Sequence, residues 1–188
     1  MLGEIPTNNP EKGLIADDDR KFIIGTIDPE FLAAHNAKSY YLVTDWLETN
    51  DDDETKLVRK IYPDGKIELL HIAKVMVDDE RKSKKSLINE EKFQEYMSQN
   101  PGLPHVEKTR YEFTFIQNGI TFKAKYDEFA NKTLRILEID ADDADKRASF
   151  DPASFDYPLL EVSDDDNYRG YRVASVLQSL QENADTKH

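Results

Sequence analysis

The sequence predicts an antiparallel α+β fold whose strands curl into a barrel, with helices packed outside. Three observations point there. Strand-like segments outnumber helical ones and follow one another through turn signals, as hairpin-built sheets do. Gln117-Asn118-Gly119 separates two long alternating segments, and Asn-Gly is the strongest short-range hairpin signal. Several strands carry paired charges on one face and apolar residues on the other. Rolled up with the charged face inward, such a sheet has a charged lumen and an apolar exterior for amphipathic helices to cover.

Along the chain, residues 1–15 read as a flexible tail, broken by Pro6, Asn8, Asn9, Pro10 and Gly13, and residues 16–183 as a single domain. DDDRKFIIG (17–25) is the first strand. Asp28 as N-cap and Pro29 at the first helical position start a short helix over 28–36. SYYLVTDWL (39–47) is a strand rich in aromatic and branched residues, and NDDDE (50–54) a solvated loop. TKLVRKI (55–61) and KIELLHIAKVMV (66–77) flank the turn Tyr62-Pro63-Asp64-Gly65. Asn89 caps a helix over 88–97. The hairpin strands TRYEFTFI and ITFKAKYDEF come next, then the strand TLRILEIDA. Residues 142–157 are irregular, LLEVSD is a short strand, and NYRGYRVASVLQSLQ is a closing helix with apolar residues near the 3.6 period.

The hairpin turn fixes a register. Gln117 pairs with Ile120, Phe115 with Phe122, Phe113 with Ala124 and Tyr111 with Tyr126, giving one solid apolar face. The other face carries Lys108, Arg110, Glu112 and Thr114 opposite Thr121, Lys123, Lys125 and Asp127. Taken alone, a charged strand face is ordinary solvent surface. The imbalance recurs, however. Asp17, Asp19 and Lys21 share one parity and Phe22 and Ile24 the other; Glu161 and Ser163 form another polar pair. In TLRILEIDADD, Glu138 and Asp140 share a face with Leu134 and Ile136, while Leu137 and Ile139 make the second face apolar too. A strand apolar on one side with two carboxylates on its other side fits a charged lumen.

Composition narrows the function. The chain has 188 residues, enough for one ordinary core, and no cysteine, which removes disulfides and thiolate metal sites. Its net charge of −13 opposes binding to DNA, though a local basic cavity is compatible with that sum. No apolar run approaches the roughly 20 residues of a membrane helix, and the N-terminus lacks a basic region followed by an apolar one. The expectation is a cytoplasmic, soluble protein without a membrane partner, a monomer or homodimer. His35, His71, His105 and His188 are dispersed and do not form a zinc motif. Asp164–Asp166 reads as a helix N-cap cluster, and no P-loop motif is present.

The ordered motifs resemble the CYTH superfamily, the triphosphate tunnel metalloenzymes, which include inorganic and thiamine triphosphatases, class IV adenylate cyclases and fungal RNA triphosphatases. DDDRKF matches the family's E-x-E-x-K-F first strand, with Asp17, Asp19 and Lys21 in the motif positions. Lys108-Thr109-Arg110-Tyr111 matches a Lys/Arg strand, Asp127 and Phe129 an Asp-x-Phe, LEID an E-x-E strand, and Glu161 in EVSDDDNYRGYRVA an E-V-T before a tyrosine-containing helix. The resemblance spans residues 17–180 and implies an eight-stranded antiparallel β-barrel, a tunnel with a charged lining. It implies a metal-dependent hydrolase of a triphosphate, with Mg²⁺ or Mn²⁺ on Asp17, Asp19, Glu138, Asp140 and Glu161. The phosphates would lie on Arg59, Lys74, Lys108, Arg110, Lys123 and Lys125, and Glu138, Asp140 and Lys21 would be catalytic. Carboxylates suit these oxygen-seeking cations, and Arg and Lys suit phosphate.

The sequence departs from the family pattern in three places. Leu57 stands where an R-x-R strand has its first arginine, with Arg59 as the second. RKSKKS (81–86) replaces R-x-E-x-E, putting Ser83 and Lys85 in place of acids. The first-strand acids are Asp rather than Glu. Two other readings therefore stand beside the triphosphatase: a non-catalytic polyphosphate- or nucleotide-binding protein, and an adenylate cyclase-like activity. Each takes a small-molecule triphosphate or polyphosphate as its partner.

Overall fold

The computed structural model describes residues 15–16, 18–49, 53–130, 133–170, 172–174 and 176–177. The expected tail at 1–15 and the motif residue Asp17 therefore lie outside the described residues, except for the backbone of Ile15. The strands are β1 (Ile15–Ala16), β2 (Arg20–Ile24), β3 (Lys38–Thr49), β4 (Glu54–Ile61), β5 (Ile67–Val77), β6 (Glu80–Leu87), β7 (His105–Gln117), β8 (Ile120–Phe129), β9 (Arg135–Asp140) and β10 (Leu159–Glu161). All pairings are antiparallel, in the order β1-β6-β5-β4-β3-β7-β8-β9-β2-β10. β1 pairs with β6 near one end of that order, while β2, four residues further along the chain, pairs with β9 near the other. One short segment thus ties together both ends of the sheet, which must curl into a tunnel. Eight strands are five residues or longer, and β1 and β10 are short additions.

The β7–β8 register is the one the turn dictates: Gln117 pairs with Ile120, Phe115 with Phe122, Phe113 with Ala124 and Tyr111 with Tyr126. Asn118 and Gly119 both have positive φ, 51° and 76°, as a two-residue type I′ turn requires. β6 was not assigned as a strand from the sequence. It pairs with β5 through a turn at Asp78 and Asp79, which also have positive φ.

The main core lies outside the barrel wall. Phe22, Phe113, Phe122, Tyr126, Leu137 and Ile139 are buried on the outer face of β2, β7, β8 and β9. Over them lie α1 (Pro29–Ala34) and residues 150–157, through Phe31, Phe150 and Phe155. The Asp28 carboxylate does not cap α1; it accepts a hydrogen bond from the Tyr157 hydroxyl, fastening that cover. α2 (Glu90–Gln99), capped by Asn89 as expected, seats Phe93 on Leu57 and Leu69 outside β4 and β5. The stretch at 142–157, expected to be irregular, contains a short helix α3 (Ala144–Ala148) and a 3₁₀ turn (Pro152–Ser154).

The closing helix is placed differently from the expectation. Its described turns at 172–174 and 176–177 do not lie on the apolar exterior. Val173, Ala174 and Leu177 pack on Trp46, Val106, Phe129 and Ile136, and the first three of those four line the lumen. The helix therefore stands across one end of the tunnel. Gly170 lets it approach: a Cβ there would lie 3.0 Å from the Trp46 ring. No described helix is long and apolar enough to cross a membrane.

Candidate functional site: a charged lumen

The tunnel encloses a cavity of about 630 Å³. Each charged side chain reaches it by strand parity. β7 contributes Lys108, Arg110 and Glu112, β8 Lys125, β9 Glu138 and Asp140, β2 Lys21, and the residue just before β2 Asp19. The opposite wall holds Glu54, Lys56 and Lys60 from β4, Lys74 from β5, and Arg81, Ser83 and Lys85 from β6. In a chain of net charge −13, the lumen wall carries more Lys and Arg than Asp and Glu.

Asp127 anchors one side. It is 1% exposed and accepts hydrogen bonds from Arg110 Nε at 2.6 Å, Arg110 Nη2 at 2.7 Å and Lys108 Nζ. Burial pushes its carboxyl up, but Arg110 and Lys108 outweigh that and hold it below the ordinary carboxylate range. Glu138 sits among Arg110 (3.7 Å), Lys21 (4.0 Å) and Lys125 (4.0 Å). Burial works against its charge as well, and the surrounding cations hold it well below the usual range. Asp19 is the contrast. Burial raises its carboxyl, with Glu138 and Asp140 adding to the effect, against the Lys125 ammonium at 2.6 Å.

On the far wall Glu54, 3% exposed, is held by Lys56 at 3.2 Å and Arg81 at 3.1 Å. Lys56 lies over the Trp46 ring, and burial followed by the neighbouring Lys74 lowers its ammonium to about 7, against Glu54. Burial, then Lys125, Arg110 and Lys74, also lowers Lys85.

Not every expected site residue reaches the lumen. Asp19, Lys21, Lys74, Lys108, Arg110, Lys125, Glu138 and Asp140 line it. Arg59 does not: it has the outward parity of the fully buried Leu57 and lies over Phe93 of α2, 5.1 Å from the ring centroid. The R-x-R resemblance puts Leu57 and Arg59 in the motif positions, one residue out of step with the inward set Lys56, Val58 and Lys60. Glu161 stands opposite the outer-core residue Phe22 and makes a two-pronged ion pair with Arg20 at 2.8 Å, away from the cavity. Lys123 has inward parity but lies at the rim, 58% exposed and 3.4 Å from Asp142.

Other residues in or beside the lumen are not evident from the motifs. Glu54 was assigned to a solvated loop, yet it opens β4 with the parity of Lys56. Lys56 and Lys60 were recoverable from that same parity. Asp18 was passed over between two motif positions, but its carboxylate lies within 4.8 Å of those of Asp19 and Asp140. Arg147 of α3 bridges Asp18 and Asp140, a contact that no local pattern announces. Asp165 caps the 3₁₀ turn Asp166–Tyr168, as a capping cluster should, while Asp164, Asp165 and Asp166 also line the cavity mouth. Lys21 holds this segment by donating to the Tyr168 carbonyl at 3.0 Å.

The antiparallel sheet curls around a lumen in which cations and carboxylates face one another, a chemistry that suits phosphate oxygens and hard cations. Two solved structures of NE1496 share this fold. One, described as a hypothetical protein, matches at 23% identity with a TM-score of 0.54, covering 86% of this chain and 97% of that one. The other, described as the inorganic triphosphatase NE1496, matches at 23% identity with a TM-score of 0.55, covering 84% and 97%. No protein-family model matches the chain, and no curated protein matches it.

Proposed function

We propose that this chain is a divergent triphosphate tunnel metalloenzyme that cleaves a phosphoanhydride bond of a triphosphate held in the lumen. The observation that carries the proposal is the convergence of Lys21, Arg110, Lys125 and Lys85 with Asp19, Glu138 and Asp140 on one cavity. The similar fold of the inorganic triphosphatase NE1496 supports it. In this reading Arg110, Lys108, Lys125, Lys74 and Lys85 bind and orient phosphate oxygens, with Asp127 fixing the first two. Such a reaction depends mainly on positioning and charge stabilisation, so no protein nucleophile is needed. Asp18, Asp19 and Asp140 fit Mg²⁺ or Mn²⁺, because three carboxylates converge where, among the described residues, Arg147 and Lys125 pair with them. A bound cation of this kind would neutralise charge on the phosphate oxygens and orient a water. Glu138 sits behind these carboxylates among the cations. Arg59, Lys123 and Glu161 have no part.

One observation favours the non-catalytic reading: β6 supplies Ser83 and Lys85 to the lumen and no carboxylate. Both readings require polyanion binding inside the tunnel. Lys85→Ala is expected to weaken tripolyphosphate binding at least tenfold, measured by calorimetric titration at low salt. Lys84→Ala, on the adjacent outward position, should change it less than twofold. Equal effects would remove the case for the inward wall. High salt should weaken wild-type binding, because it screens the attraction between the free polyanion and the basic lumen.

Lys56 lines the same wall as Lys74 and is a further cation within the lumen, so binding should also depend on pH through it. An anion placed beside it raises its proton affinity, so binding above pH 7 takes up a proton and affinity falls as pH rises. The expected slope between pH 7 and 9 approaches tenfold per unit. Lys56→Arg should flatten it, because guanidinium stays charged. A wild-type affinity independent of pH over this range would count against Lys56 as a contact.

A further inference from the structure

Arg147 reaches the acidic cluster from outside the cavity. Its side chain is 12% exposed and bridges Asp18 and Asp140. It does not line the lumen, whereas Lys125, the partner of Asp19, does. The backbone that carries Arg147 is fastened at both ends. Asp143 caps α3 by accepting from the Lys146 backbone amide at 2.8 Å. Arg20, itself paired with Glu161, donates to the Phe150 carbonyl at 2.8 Å and to those of Arg147 and Ala148 at 3.4 Å. Phe150 is in turn buried in the outer core. The part of Arg147 left free to move is its long side chain, which can change rotamer while the helix stays in place.

Carboxylate oxygens of Asp18, Asp19 and Asp140 lie within 4.8 Å of one another, and like charges that close repel. The Arg147 guanidinium relieves the repulsion for two of the three. A cation taken up by all three acids must compete with it for Asp18 and Asp140, and two positive charges beside the same oxygens repel in turn. Resting on the metal reading above, we propose that Arg147 is the counter-cation of the metal-free cluster, and that a divalent cation binds by displacing its side chain from Asp18 and Asp140. Arg147 then sets the metal concentration at which the site fills. It holds the acids together when metal is scarce and lowers their affinity for metal in doing so.

The test titrates Mn²⁺ alone into the full chain at constant ionic strength, with free Mn²⁺ read by electron paramagnetic resonance. Arg147→Ala is expected to bind Mn²⁺ about tenfold more tightly than the wild type, because a unit charge competing for the same oxygens is gone. Arg147→Gln, neutral but still able to hydrogen-bond, should tighten binding in the same direction and carries the test if the alanine variant fails to fold. Lys146→Ala removes the same net charge one residue away, where Lys146 pairs with Asp143 at 3.4 Å, and should stay within twofold. Thermal unfolding supplies a second readout. Without metal the Tm of Arg147→Ala should fall, and saturating Mn²⁺ should raise it by more than it raises that of the wild type. If Arg147 served only to hold α3 and keep the acids in place, its loss would weaken Mn²⁺ binding instead. Unchanged or weaker binding in both Arg147 variants, or equal tightening in Lys146→Ala, overturns the inference and leaves the metal reading intact. No Mn²⁺ binding by the wild type or either Arg147 variant overturns both.

Discussion

Asp127→Ala is expected to destabilise the barrel by about 3–5 kcal/mol, because it leaves Lys108 and Arg110 side by side without their shared carboxylate. Asp127 is 1% exposed, so water cannot take over its role. In a chain of this size the loss corresponds to a drop in Tm on the order of 10 °C. Thermal unfolding measures it, and a loss under about 1 kcal/mol would show that the cations find other partners. The variant also reports on the lumen. A polyanion bound there would replace the missing negative charge, so saturating tripolyphosphate should raise the Tm of Asp127→Ala more than that of the wild type.

Glu138→Gln is expected to abolish metal-dependent turnover while leaving metal-free tripolyphosphate binding unchanged or tighter. The change keeps the shape and removes one negative charge from among Arg110, Lys21 and Lys125. Those cations are then released towards the phosphates. The carboxylates on the metal side lose a negatively charged neighbour, and the cost to kcat should be a hundredfold or more. Weaker metal-free binding in this variant would contradict the view that Glu138 competes with the ligand for the same cations.

Much of the lumen was legible from parity alone. Asn118-Gly119 fixes one register, and from it Lys108, Arg110, Glu112 and Lys125 fall on the inner face. The double-sided strand TLRILEIDADD makes physical sense in the structure. Leu137 and Ile139 face the outer core, and Glu138 and Asp140 the charged part of the lumen. Ile136 shares the face of Glu138 because that end of the tunnel is apolar, where Val173 and Ala174 seat on it. The errors came where motif matching replaced parity, as at Arg59, which shares the outward parity of Leu57 and Ile61.

Other features lay beyond local pattern. Parity gives a face but not a depth, so Lys123 was indistinguishable from Lys125 although it sits at the rim. β6 was hidden because ERKSKKSL has almost no apolar alternation and its Asp78–Asp79 turn reaches positive φ without glycine. The meeting of Asp18, Asp140 and Arg147 depends on the long-range pairing of β2 with β9, which sets Arg20 opposite Ile139, and on α3 folding back beside them.

Release of orthophosphate by the wild-type protein is the most direct test of the proposed hydrolase. Tripolyphosphate, thiamine triphosphate and ATP are each incubated with Mg²⁺ or Mn²⁺, with and without EDTA. The account predicts turnover of at least one of them that requires the metal, stops with EDTA and is lost in Glu138→Gln. Tight binding with no metal-dependent release from any of the three would contradict it and make the tunnel a polyanion-binding site rather than a catalytic one.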